Sequence, residues 1–258
     1  MTTFHIAILF LSSILAGFAN AVAGGGTFFS FPALTGGGLT ALVANATNAV
    51  AVTPGHALAA WAYRSELTRA KGRLVIMWIA SGIGAIGGAY LLTITPAKTF
   101  AVLVPWLVLF ATVSFAFGPA LQKAIQSKKA AIALDPNKPK RVTIGAAISY
   151  MLASVYGGYF GAGQGIVLMT VLTLSGVDDI QEANAFKNAI ASLCSLIAVI
   201  ILAFKGIIIW KYGILMIVGA TIGGLFGGKL AKRLDKKTLR AIVIIVGSLL
   251  TIWYFYKG

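Results

Sequence analysis

Two apolar stretches carry polar side chains at helical spacing. Within 41–63, Asn45, Asn48, Val52 and His56 follow one another at intervals of three and four, so a helix places them on one stripe. Within 183–204, Asn184, Asn188, Ser192 and Ser195 repeat the arrangement. Thr47 precedes Asn48 in the first stretch, and Lys187 precedes Asn188 in the second. Carboxamides and hydroxyls supply neutral hydrogen-bonding groups, lysine a full positive charge, and histidine a site for a proton near neutral pH. Such a set suits the binding of a small polar or anionic solute. No nucleophile–base–orienter set accompanies it, and HExxH, GxSxG and Walker A sequences are absent. Hydrolytic catalysis, a cofactor and an ATP motor therefore find no support in the sequence. Structural duties compete with solute binding: Asn and Ser join helices, His56 packs in place, and Lys187 snorkels toward Asp178, Asp179 and Glu182.

Two glycine-rich breaks must position these stripes. The first lies in the stretch Asn20 to Asn48, where Gly24, Gly25 and Gly26 precede Thr27. The second is Gly161, Ala162, Gly163, Gln164 and Gly165. Consecutive glycines end helices, because glycine loses the most backbone entropy on ordering and packs no side chain. At membrane depth a broken helix survives only where protein or a water-filled cavity covers its free backbone groups. The short helix that follows each break aims N–H groups and a positive dipole end at the glycines, which suits an anion.

The membrane assignment rests on composition. The chain has 258 residues, 59% of them hydrophobic and only 10% charged, with a mean hydropathy of +0.91. Soluble domains carry about 25% charged residues. Apolar segments lie at about 4–23, 27–35, 41–63, 74–94, 98–118, 143–160, 165–175, 183–204, 207–228 and 239–256. Most approach the ~20 residues that cross a bilayer as a helix, whereas 27–35 and 165–175 are too short. Residues 4–23 lack the basic start of a signal peptide, since the first Lys or Arg is Arg64. They are expected to be retained. The single cysteine, Cys194, forms no intramolecular disulfide and reads as a small buried hydrophobe.

The net charge of +15 is grouped rather than spread: four Lys or Arg fall in 64–73, six in 119–141 and six in 229–240. Basic clusters between apolar spans mark cytoplasmic loops, not a nucleic-acid surface. The two halves of the chain match at an offset near 139 residues: Gly24–Thr27 against Ala162–Gly165, Asn48–Ala51 against Asn188–Ala191, and Gly84–Gly88 against Gly223–Gly227. Their charges are antisymmetric. The loop after the third segment is basic in the first half, and the loop after the fourth is basic in the second. Corresponding loops then face opposite sides, as in an inverted repeat. The expected fold is an all-α integral membrane protein of two inverted helical halves with broken or re-entrant hairpins, having about 8–10 transmembrane segments. Residues 1–118 form the first repeat, 119–141 a cytoplasmic basic linker and 142–258 the second repeat, with both termini outside the cytoplasm.

The motifs A-G-G-G at 23–26, F-P-A-L at 31–34, A-N-A-T-N at 44–48, and G-A-I-G-G at 84–88 with the basic loops resemble the sulfite exporter TauE/SafE family over nearly the whole chain. The resemblance implies a carrier in the bacterial inner membrane, moving sulfur-containing anions such as sulfite, sulfoacetate or related sulfonates by alternating access. Gln164 within the second glycine motif and Lys187 opposite Thr47 depart from the first half's pattern. Lys187 is expected to balance the anion's charge. A carrier of another small organic anion, a membrane scaffold and an intramembrane enzyme stay open as alternatives. So do a coupling proton or ion and a homodimer. Nucleic acid is not an expected partner, and the lipid bilayer is. The topology has a direct check: in a Cys194-free background, cysteines placed in 229–240 should react with impermeant reagents from the cytoplasmic side alone. External labelling there would remove the inverted repeat.

Overall fold

A chain crossing lipid must satisfy its N–H and C=O groups within itself, and helices do so segment by segment. In the computed structural model, which describes residues 2–22, 24–69, 71–131, 143–177, 179–230 and 236–257, the apolar runs are helical and no described residue is in a strand. The first half holds α1 (Thr3–Val22), α2 (Thr27–Gly36), α3 (Ala41–Ala62), α4 (Arg64–Arg69), α5 (Lys71–Ile94) and α6 (Ala97–Ala131). The second holds α7 (Ile144–Tyr159), α8 (Gln164–Leu174), α9 (Ile180–Phe204), α10 (Trp210–Leu230) and α11 (Lys236–Lys257). Helices α1, α5, α6 and α9 are long and apolar enough to span a membrane, and α10 and α11 carry apolar stretches over Trp210–Phe226 and Arg240–Tyr256. Large apolar side chains line the outside, among them Ile83, Tyr90, Val102, Phe204 and Ile252, as a lipid-facing surface requires. The protein is a multi-pass, all-α membrane protein.

Two expected boundaries differ. Thr53-Pro54-Gly55 is by sequence an interruption of the third segment, yet α3 runs through Pro54 without a break. Proline removes the donor that would meet the Val50 carbonyl, and the rest of the ladder tolerates that single loss. The basic linker does not begin at residue 119. Helix α6 continues through Pro119 to Ala131, because its Ala, Leu, Gln and Lys residues favour helix. The carbonyl that loses its partner to Pro119 is that of Phe115, four residues back. Arg240 of α11 fills the vacancy, donating from Nε to the Phe115 carbonyl at 2.8 Å and from a terminal nitrogen to Ala116 at 2.6 Å. The remainder of the expected linker, 132–141, and positions 231–235 of the last basic segment lie outside the described residues, as does Asp178.

The closest helix pairs join the halves rather than lying within them. Helix α1 lies along α10, and α7 lies along α5. Both contacts bring backbone against backbone. A methyl group on Gly17 would run into the Ala220 carbonyl, and one on Gly223 into that of Ile14. Between α5 and α7, Gly84 abuts the Met151 carbonyl and Gly88 that of Val155. This is small-residue packing, the mode that associates helices where lipid offers no hydrophobic drive. Helices α3 and α9 cross between these pairs, α3 also touching α10 and α9 also touching α5. The halves interlock.

Gly223→Ala should therefore lower the thermal unfolding temperature in detergent, since overpacking costs about 1–3 kcal/mol. Gly87→Ala on the same kind of helix is the control, because nothing lies within 4 Å of an added methyl group there. It should be neutral or stabilising by up to about 1 kcal/mol. Equal behaviour of the two variants would mean that the glycine contacts do not hold the helix pairs together.

Candidate functional site

Each break is a short gap, with 24–26 between α1 and α2 and 160–163 between α7 and α8. The chain turns through left-handed glycines. Gly24 (φ +82°) closes α1, its N–H donating to the carbonyls of Ala19 at 3.0 Å and Asn20 at 3.1 Å. Gly161 (φ +76°) closes α7, donating to the Tyr156 carbonyl at 3.1 Å, and Gly163 (φ +71°) caps α8. Side chains with a Cβ are strained at such angles.

Between α3 and the second break lies a cavity of about 30 Å³. Such a space holds about two waters, or a solute of a few atoms. Helix α3 lines it with Asn45, Asn48, Ala49, Val52 and His56, and α2 adds Thr27. The second break contributes Gly157, Gly158, Tyr159, Phe160, Gly161 and Gln164, and α9 adds Ser195, Ala198 and Leu202.

Hydrogen bonds fix the α3 side of this wall. The Asn45 amide donates to the Tyr159 carbonyl at 2.9 Å, tying α3 to the last residue of α7. The Asn48 oxygen accepts from the Ser30 hydroxyl, and its nitrogen lies 3.4 Å from the Thr27 hydroxyl. Asn45 and Asn48 are both buried, so these bonds also meet the requirement that buried polar groups be paired. Opposite them sits Gln164, 97% buried by its 3% exposure. Its Nε2 has no hydrogen-bond partner. The amide lies flat against Gly157, where any side chain would displace it. The Cys194 thiol on α9 is near both Gln164 and Ser154, but sulfur is a weak, poorly directed partner and leaves the nitrogen unsatisfied.

The structure thus gathers Thr27, Asn45, Asn48, His56, Gly161 and Gln164 from the sequence-derived candidates around one space. It puts the others elsewhere. Asn20 sits against Gly26 and Gly55. Gly24 turns the chain, Gly25 packs on Val243 and Phe115, and Gly26 abuts the Ala16 carbonyl. Thr47 faces away and accepts from the Ile209 N–H at 3.1 Å, holding the connection into α10. Gly163 rests on Ala111 and Phe115. Lys187 is half-buried beside the start of α8, its stem over Gly165 and its ammonium 3.1 Å from the Asn184 oxygen. Asn188 is buried and does not border the cavity.

Sequence reading missed Tyr159 and Phe160, and the pair Gly157-Gly158. The glycine density of Y-G-G-Y-F-G-A-G-Q-G would have extended the second break upstream. The Tyr159 carbonyl, a backbone group, left no signal. Among the described residues no group of three His, Cys, Asp or Glu could hold a metal.

Comparisons with known proteins agree with a transport role for this architecture. The family model for the sulfite exporter TauE/SafE family matches residues 9–254. A probable membrane transporter protein, ORF9, of a Sinorhizobium species is 28% identical over 254 residues, 96% of this chain and 92% of its own length. A probable membrane transporter protein of Haemophilus influenzae is 27% identical over 253 residues, covering 95% and 92%. The probable membrane transporter protein YfcA of Escherichia coli K12 is 24% identical over 257 residues, covering 98% and 90%. No solved structure matches. The chain belongs to the sulfite exporter TauE/SafE family of membrane transporters.

Proposed function

We propose that this transporter carries small sulfur-containing anions such as sulfite, sulfoacetate or related sulfonates across the inner membrane, in the export direction, with the cavity as its central site. The observation that carries the reading is Gln164. A carboxamide nitrogen 97% buried and unpaired is a standing cost of about 1–3 kcal/mol, which a bound acceptor would relieve. It stands at the first residue of α8, an 11-residue helix whose N-terminal N–H groups and dipole favour negative charge. No Asp or Glu borders the cavity. Lys187, on α9 with its stem over Gly165 near the start of α8, adds long-range positive potential without bordering the cavity.

Alternating access follows from the interlocked halves. The tight pairs α1–α10 and α5–α7 exchange under the halves' correspondence, as do α3–α10 and α9–α5. Together with the antisymmetric charges, this packing supports two inverted repeats that rock about the α3–α9 crossing, with both termini outside.

Gln164→Leu separates transport from packing. If Gln164 is a binding donor, anion affinity in proteoliposomes should fall about ten- to a hundredfold, the worth of a charge-assisted hydrogen bond. Thermal stability should hold or rise, because an orphaned donor is gone. Unchanged sulfite and sulfonate affinity in a folded Gln164→Leu protein would remove Gln164 from the site.

A further inference from the structure

His56 is the one cavity-lining side chain that ordinarily changes charge near neutral pH. The other polar groups there are amides, hydroxyls and the backbone, and the Tyr159 hydroxyl points out of the group to Thr95, 3.4 Å away. We infer that His56 binds a proton together with the anion, so that the two cross the membrane as a coupled pair. The inference rests on the transport reading above and adds its coupling partner.

The physical argument starts from the anion. Moving one uncompensated charge across the membrane changes its free energy by about 2.3 kcal/mol per 100 mV. Neutral donors soften desolvation but leave that charge uncancelled. A proton on the imidazole cancels it within the same cavity. No Lys, Arg, Asp or Glu borders the cavity. Charged side chains on the surrounding helices α1, α2 and α6–α10 are few. Helices α2, α7 and α8 carry none, and α1 carries only His5 at its start. Lys98 and Lys211 sit in the first turns of α6 and α10, Lys123, Lys128 and Lys129 in the last turns of α6, and Lys229 in the last turn of α10. From α9, Lys187 acts on His56 through space, while Glu182 lies in that helix's first turn. A second proton beside Lys187 is unfavourable unless an anion joins it, so proton and anion binding reinforce each other reciprocally. The position also suits a moving part. His56 is two residues past Pro54, where α3 has lost a ladder bond and can bend.

The test uses the purified full chain in liposomes loaded with a pH-sensitive dye, with methanesulfonate as probe. Its charge is fixed between about pH 5 and 8, where imidazole titrates, so any bound proton belongs to the protein. A methanesulfonate gradient should drive protons in the same direction as the anion. Affinity should fall about tenfold per pH unit above the imidazole's titration. In His56→Gln, anion flux should be slower, move no protons and lose its pH dependence. Wild-type anion flux without proton movement overturns the inference, and so does proton movement that persists in His56→Gln. Should that variant not fold, thermal stabilisation of the wild type by methanesulfonate decides: protection that is the same at all pH values overturns it. Absence of flux for both methanesulfonate and sulfite defeats the transport reading itself, and the coupling falls with it.

Discussion

Unpaired backbone is what lipid forbids, and this structure is arranged around the places where its helices stop. At 24–26 and 160–163 the chain leaves the helical ladder inside an apolar protein. Left-handed glycines return some of the lost bonds, as Gly24 does to α1 and Gly161 to α7. Side chains return others: the Tyr156 hydroxyl donates to the Ala162 carbonyl, and Asn45 donates to that of Tyr159. Arg240 performs the same service at Pro119, deep along α6. Each repair recruits a residue from another helix or another part of the hairpin. Satisfying the backbone therefore also fixes which helices must be neighbours.

The glycine contacts set the distances. Where Gly17, Gly223, Gly84 and Gly88 meet carbonyls, the helix axes approach more closely than any larger residue permits. The pairs α1–α10 and α5–α7 become rigid walls, and α3 and α9 are held between them. The cavity lies along α3 because α3 carries its polar stripe inward there, against the glycines that end α7. Packing by small residues and the location of a polar site are one arrangement, since the same absence of side chains allows both.

Much of this was legible in the sequence, for stated reasons. Apolar runs of membrane length fix the helices, and three-four spacing fixes the face of α3 that holds Asn45, Asn48 and His56. Glycine-rich runs marked the breaks. Spacing alone could not separate Thr47 from Asn48, adjacent residues that the helix turns to different neighbours: one to the Ile209 N–H, the other to Ser30. Nor could symmetry between the halves tell which glycine break would border a cavity. By sequence the basic linker starts at residue 119, where the chain turns polar and basic, and the arginine that repairs the helix at Pro119 lies far along the chain at position 240. Long-range repairs of backbone carbonyls leave no local pattern.

The difference between the two breaks carries the functional weight. In the first, polar groups satisfy one another: Ser30 donates to Asn48, Asn48 reaches Thr27, and Ser30 also approaches the Gly26 carbonyl at 3.3 Å. A closed set of that kind gains nothing from a ligand. In the second, Gln164 occupies the corresponding helix start with its nitrogen buried and unpaired, beside glycines that leave room. A packing residue at that place would be apolar, because an orphaned amide destabilises the fold. Sequence departure and structural vacancy coincide at one residue. The first break is thus closed in its own hydrogen bonding, and the second is the half that the proposed anion would complete.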